Sequence, residues 1–98
     1  MTLNKYINYV EFDDKKRIIV SVNVIYQSFL HIENIRQLLK KAIIDILKDD
    51  FVRLEIGKNR VRITVREGTE EKNINIIRTE LQIGLEKALQ YMGTSYND

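Results

Sequence analysis

Five apolar residues alternate at strict period two between residues 18 and 26, and this run constrains the fold more than any other feature. The residues are Ile18, Val20, Val22, Val24 and Tyr26. Successive side chains of a β-strand point to opposite faces of a sheet, so the pattern predicts a strand with one buried face. The segment from Asn4 to Phe12 is rich in Tyr, Ile, Val and Phe and predicts a partner strand. A tight turn at Asp14-Lys15 joins them into a hairpin, whose predicted pairs are Ile7–Val22, Tyr9–Val20 and Val10–Ile19.

A second hairpin is predicted between Phe51 and Arg66. Its strands cover residues 51–56 and 60–66, joined by a two-residue loop at Lys58-Asn59. In this register every cross-strand pair joins apolar with apolar or polar with polar, as the pleat of a sheet requires. The predicted pairs are Ile56–Val61, Leu54–Ile63, Val52–Val65, Glu55–Arg62 and Arg53–Thr64.

Each hairpin precedes a segment whose apolar residues recur at helical spacing. The first helix is predicted to begin near Ser28 and to end at Asp49-Asp50, with its apolar face at Ile32, Ile35, Leu39, Ala42, Ile43 and Ile46, widened by Leu38 and Leu47. The second runs from near Asn73 to Met92, with Thr69 as its N-cap and Gly93 as its C-terminal stop. Its core stripe is Ile74, Ile77, Leu81, Leu85, Ala88 and Met92, with Leu89 at the margin.

The order β-β-α-β-β-α in 98 residues predicts one α+β domain over residues 1–98, with residues 94–98 as a frayed tail. We expect two layers, a four-stranded antiparallel sheet with both helices on one face. The absence of Cys excludes disulfides and thiolate metal sites. No apolar run approaches the length of a membrane span or a signal peptide, so we expect a cytoplasmic protein with no membrane partner.

The residues offer no catalytic or cofactor-binding constellation. The single histidine, His31, has no nucleophile or orienting acid predicted beside it. The pairs Asp13-Asp14 and Asp49-Asp50 lack the alternating ligands of a calcium loop, and Gly57 belongs to a turn rather than a phosphate loop. We therefore expect a protein that is not an enzyme and uses no cofactor and no metal.

The last helix carries a second apolar stripe. Ile76 and Ile83 lie about 180–200° around the helix from the centre of the core stripe. An exposed aliphatic side chain of this size forgoes about 1.5–3 kcal/mol of burial, although folded surfaces do carry isolated apolar residues. We expect a protein interface on this side of the helix, formed by Ile76, Thr79, Ile83 and Gln90.

The outer face of the first hairpin is also largely apolar in the predicted register. It would present Tyr6, Val10, Phe12, Ile19 and Ile25. Such a patch indicates a contact surface, unless the register differs or a long side chain covers it. Both surfaces together favour a non-enzymatic assembly module, expected to be a homodimer and an accessory subunit of a larger complex.

The second hairpin suggests an alternative function, because its outer face would carry Arg53, Arg60, Arg62 and Arg66. Arginines spaced along a strand can contact phosphates, which makes a small RNA- or DNA-binding domain the alternative. However, Glu55 is predicted opposite Arg62, no aromatic residue is interleaved, and the net charge is only +2. A solvated, ion-paired sheet face explains the same pattern.

The C-terminal half resembles the small dimerisation subunit of the KEOPS complex, which takes part in making threonylcarbamoyladenosine in tRNA. That family has a short hairpin, a brief acidic linker and a final helix of the form Leu-Arg-x-x-x-Asn-Ser-x-Leu-Arg. Residues 54–65 match the hairpin, and Arg78 and Leu85 match the helix. Gln82-Ile83 replaces the Asn-Ser pair, and Glu86 replaces the second Arg. The resemblance implies a non-catalytic homodimer whose last helix, with Arg78 and Ile83, packs against an ATPase-like subunit near tRNA.

Overall fold

The computed structural model describes residues 6–97, the last six of these by their backbone alone. The strands are β1 (Ile7–Phe12), β2 (Ile18–Val22), β3 (Phe51–Ile56) and β4 (Arg60–Val65), and the helices are α1 (Glu33–Leu47) and α2 (Ile74–Asn97). Short 3-10 segments cover Val24–His31, Lys48–Asp50 and Thr69–Glu71. The order confirms the predicted β-β-α-β-β-α chain.

The four strands form one antiparallel sheet in the order β1-β2-β4-β3. The central strands, β2 and β4, place Ile18, Val20, Val61 and Ile63 in the core. Both helices pack on this face and contribute leucine and isoleucine side chains to the same cluster. The two-layer α+β architecture is therefore confirmed, and β1 and β3 are the edges of the sheet.

The first hairpin differs from its predicted register by one residue over most of its length. Asp13 and Arg17 flank a three-residue loop in which Lys16 adopts a left-handed φ of 63°. The extra loop residue shifts the pairs, so that Tyr9 faces Ser21 and Val10 faces Val20. The predicted pairs Tyr9–Val20 and Val10–Ile19 are therefore wrong. A bulge between Ile7 and Tyr9 then restores the predicted pair of Ile7 with Val22.

The second hairpin follows its prediction closely. Glu55 pairs with Arg62, Leu54 with Ile63, Ile56 with Val61 and Arg53 with Thr64, as expected. The amide of Gly57 donates to the carbonyl of Arg60 at 2.9 Å, which closes the predicted loop at Lys58-Asn59. The exception is Val52, because a bulge there pairs Phe51 with Val65. The Val52 side chain is consequently 54% exposed.

The period-two run does not continue as a strand beyond Val22. Asn23 instead caps a 3-10 segment, its side-chain oxygen accepting a hydrogen bond from the Ile25 amide at 3.1 Å. Such local capping competes with strand pairing, so Val24 and Ile25 become exposed residues of this segment. Ser28 lies within the same segment and does not cap α1, which begins at Glu33.

Both helices use most of their predicted core positions, but Leu38 and Ile74 are only half-buried outside the core cluster, and Leu89, predicted at the margin, is fully buried. The buried residues are Ile35, Leu39, Ile43 and Leu47 on α1 and Leu81, Leu85 and Leu89 on α2. The predicted caps of α2 are wrong at both ends. Asn73, and not Thr69, caps its N-terminus by accepting from the Ile76 amide, and the helix continues past Gly93 to Asn97. The side chain of Met92 and all of Asp98 lie outside the described residues.

Candidate protein interface

The outer side of α2 presents the uncharged stripe that the sequence predicts. The side chain of Ile76 is 53% exposed and that of Ile83 is 45% exposed. Thr79 and Gln90, which complete the stripe, are exposed as well. Two large aliphatic side chains therefore remain in solvent on the side of α2 opposite to Leu81 and Leu85. We call these four residues the α2 outer stripe.

A second side of α2 is polar but faces the protein. Arg78, Gln82 and Glu86 recur every four residues and all bond to the main chain of β1. Arg78 Nε donates to the Val10 carbonyl at 2.8 Å, and Gln82 Nε2 donates to the Ile7 carbonyl at 3.1 Å. This polar row gives the outer edge of β1 the hydrogen bonds that a further strand would otherwise provide.

Glu86 makes the most buried of these contacts. Its carboxylate oxygens accept hydrogen bonds from the Tyr6 amide at 2.6 Å and the Ile7 amide at 2.9 Å. The residue is only 8% exposed. Sequence reasoning missed this role, although the four-residue spacing beside the core stripe was a usable signal.

The first hairpin does not present the outer patch that the sequence predicts. The one-residue register shift turns Val10 and Phe12 to the helix side, where they pack with the core. Tyr6 is 5% exposed, and its ring lies 4.4 Å from that of Tyr26 and 6.2 Å from that of Phe29. The prediction that Tyr6, Val10 and Phe12 lie on the outer face is therefore wrong.

The other two members of the predicted patch are separated from each other. Ile19 lies on the outer face in a cross-strand row with Glu11 on one side and Arg62 on the other. It is only 9% exposed, as expected where the stems of long charged side chains cover an apolar neighbour. Ile25 is 73% exposed, but it belongs to the 3-10 segment and not to the sheet.

The arginines of the second hairpin divide into paired and unpaired members. Glu55 accepts two hydrogen bonds from Arg62, at 2.9 and 3.3 Å, and lies 3.7 Å from the guanidinium of Arg53. The hydrogen bond from Arg62 holds the pKa of Glu55 below its ordinary value, and Glu55 in turn raises the pKa of Arg62. Arg60 and Arg66 are exposed and make no ion pair with the described residues.

The observed strand pairing places an aromatic residue beside the arginines on the outer face of the sheet. The sequence did not reveal this neighbour. Tyr9 faces Ser21, and Ser21 faces Arg60, so the three share one row on the outer surface. The Tyr9 side chain is 43% exposed. An open polar cleft of about 550 Å³ includes all three residues in its lining.

The remaining candidate residues have local structural roles. Asp13 accepts hydrogen bonds from the amides of Lys15 and Arg17, which shape the first turn. Burial favours the neutral form of Asp13, but these bonds and the Arg17 guanidinium lower its pKa overall. Asp50 pairs with Lys72 at 2.7 Å, and His31 is exposed at the end of its 3-10 segment.

Two further findings concern residues 6–97 only. No group of three His, Cys, Asp or Glu side chains is arranged to hold a metal ion there. No helix in the same part of the chain is long and apolar enough to cross a membrane.

Comparison of the chain with protein-family models, curated proteins and solved structures finds no match.

Proposed function

We propose that this protein is a non-enzymatic assembly module that holds a partner protein on the α2 outer stripe. The observation that carries the proposal is the exposure of Ile76 and Ile83 on the side of α2 opposite to its core leucines. Leu81, Leu85 and Leu89 occupy the core side of the helix, and the polar residues at positions 78, 82 and 86 bond to the main chain beside them. A helix that served only to cover the sheet would be expected to have polar residues on its outer side.

The stripe has the size of a contact centre. Ile76 and Ile83 are seven residues apart, or about 10 Å along the helix axis. Thr79 borders them on one side of the helix, and the charged residues Glu80 and Lys87 border them on the other. Apolar centres with charged rims are typical of protein–protein interfaces. This arrangement supports a partner that presents an apolar groove or a second helix.

The resemblance to the KEOPS subunit implies one class of partner, which is an ATPase-like subunit of a tRNA-modification complex. Ile83 would be available for such a contact. Arg78, however, donates to the Val10 carbonyl from a partly buried position. Within this proposal the outer stripe, and not Arg78, would provide the contact.

Affinity capture from a native extract tests the stripe. The wild type is compared with Ile83→Lys, which places a charge at the centre of the stripe, and with Ile44→Lys, the same substitution at an exposed isoleucine of α1, as the control. We expect Ile83→Lys to lose the partner and Ile44→Lys to keep it, while both unfold at the same temperature as the wild type. Retention of the same partner by Ile83→Lys would rule out this surface.

A second candidate function is binding of single-stranded nucleic acid on the outer sheet face. The row of Tyr9, Ser21 and Arg60 supports it, because an exposed ring can stack on a base beside a phosphate-binding cation. The pairing of Arg62 with Glu55 weighs against it, since a bound carboxylate repels phosphate.

Fluorescence anisotropy with labelled oligonucleotides at about 50 mM salt, where phosphate contacts are strongest, tests whether the protein binds nucleic acid. No binding there removes this candidate. Binding that Arg60→Ala weakens and Arg66→Ala leaves intact supports the row.

A further inference from the structure

The edge strand β3 has main-chain groups that point away from the sheet. Gly57 and Arg60 form the hydrogen-bonded pair that closes the second hairpin. Because bonded and non-bonded pairs alternate in an antiparallel ladder, the N–H and C=O groups of Leu54 and Ile56 point away from β4. Within residues 6–97, no hydrogen bond from another element reaches these groups.

The opposite edge of the sheet is closed. The same alternation points the main chain of Ile7 and Val10 outward from β1, and there the polar row of α2 bonds to it. Among residues 6–97, the fold therefore blocks strand addition at β1 and leaves β3 open. An unprotected edge is a template for pairing with another strand.

The sequence of β3 is complementary to itself in one antiparallel register. We propose that a second copy of this chain adds its β3 to this edge, with a two-fold axis through Leu54, to form a continuous eight-stranded sheet. In this register Arg53 faces the partner's Glu55, and the symmetry repeats that pair. On the helix side Val52 faces the partner's Ile56.

The neighbouring registers lack this complementarity. An axis at Glu55 places two glutamates directly opposite each other, and an axis at Arg53 does the same with two arginines. An axis at Ile56 places Leu54 opposite the partner's Lys58. Like charges directly opposite each other destabilise a strand pair, so only the axis at Leu54 satisfies both faces of β3.

The helix beside this edge is consistent with the same symmetry. An open cleft of about 450 Å³ separates α1 from β3, and its α1 side is lined by Glu33, Arg36, Gln37 and Lys40. A two-fold axis normal to the sheet makes the two α1 helices antiparallel. The exposed Val52 side chain is covered in the same contact.

This contact goes beyond the proposed function, because it uses a surface separate from the α2 outer stripe. Either surface can fail its test while the other succeeds. Loss of the partner protein in Ile83→Lys concerns the stripe alone, and loss of self-association in a β3 variant concerns the edge alone.

Sedimentation velocity of the purified protein over a range of concentrations provides the first test. We expect the wild type to associate to twice its 11.6 kDa mass. Arg53→Glu places two like-charge contacts in each dimer, and we expect it to raise the dissociation constant at least about tenfold. Arg60→Glu makes the same charge change at an exposed residue of β4, and we expect no comparable effect. A monomeric wild type, or equal effects of the two variants, would overturn the proposal.

The register has its own test, because the chain contains no native Cys to interfere. Leu54→Cys places two thiols on the axis, where paired α-carbons lie within disulfide range. We expect this variant to form a disulfide-linked dimer under mild oxidation and Arg60→Cys not to do so. A dimer that Glu55→Cys cross-links and Leu54→Cys does not would show that the axis is elsewhere. If Leu54→Cys fails to unfold cooperatively, the charge variants still decide whether the edge is used.

Discussion

Each edge of the sheet has a glutamate, and the two glutamates have different hydrogen-bond partners. At β1, Glu86 comes from α2, is 8% exposed and bonds to the amides of Tyr6 and Ile7. At β3, Glu55 belongs to the strand itself, is partly exposed and bonds to the Arg62 side chain. The first carboxylate closes an edge, whereas the second leaves the main chain of its strand open.

This difference explains the unusual surface of α2. Closing the β1 edge requires polar side chains on the side of the helix that faces the strand. The leucines at 81, 85 and 89 cover the core beside that row. Ile76 and Ile83 do not serve either purpose, because they lie on the remaining side. The folding of a single copy therefore does not explain why these two side chains are exposed.

The largest expected effect comes from removing the carboxylate that closes the β1 edge. Glu86→Ala leaves the amides of Tyr6 and Ile7 without their partner. Hydrogen bonds to charged groups contribute about 1.5–3 kcal/mol, so we expect the free energy of unfolding to fall by about 3 kcal/mol. Urea denaturation measures the change. Glu80→Ala, on the exposed side of the same helix, is the control, with an expected change within about 0.5 kcal/mol. Similar losses in the two variants would mean that the closed edge does not stabilise the fold.

A smaller effect is expected at the neutral member of the row. Gln82→Ala removes one hydrogen bond to the Ile7 carbonyl, so we expect a loss of about 1 kcal/mol by the same measurement. Because Gln82 and Glu86 both hold Ile7, the double variant should depart from the sum of the two single changes. Strict additivity would indicate that the contacts act independently rather than as one closed edge.

The smallest expected effect is at the open edge, where Glu55 is partly exposed. The Arg62 hydrogen bond lowers the pKa of Glu55 from its ordinary value of 4.5. A carboxyl whose pKa is lower in the folded state contributes stability above its unfolded pKa and loses that contribution as the pH falls through the folded pKa. Carbon-detected NMR titration should place the Glu55 midpoint below 4.5 in the wild type and closer to 4.5 in Arg62→Gln. An unchanged midpoint in the variant would show that Arg62 does not hold this carboxylate in solution.

The two hairpins show which local features the sequence could predict. The second hairpin has a two-residue loop, and alternation alone gave its register from Arg53 to Thr64. The first has three loop residues, the last of which is Lys16 at a positive φ. Lysine carries no sign of that conformation, as a glycine would. The resulting register error assigned Val10 and Phe12 to the outer face, whereas the observed register packs them with the core, which removes most of one predicted interface.

The candidate surfaces were predictable to different degrees. The exposure of Ile76 and Ile83 follows from helical geometry once the core side of α2 is known, so the sequence was sufficient to predict it. The open edge at β3 and the row of Tyr9 with Arg60 depend on strand order and register. Sequence periodicity does not contain the strand order, and it gave the register correctly for the second hairpin but not for the first.

By itself, the sequence determined the elements, the α+β class, the inner faces of both helices and the outward stripe on α2. These follow from the spacing of apolar residues, which acts locally. Only the tertiary structure decided which strands lie at the edges and which edge is closed, since residues 78–86 bond to β1 across 68 to 79 positions of the chain. Such contacts depend on the relative placement of whole elements, so the four-residue spacing of positions 78, 82 and 86 indicates a polar row on the helix but not the strand to which it bonds.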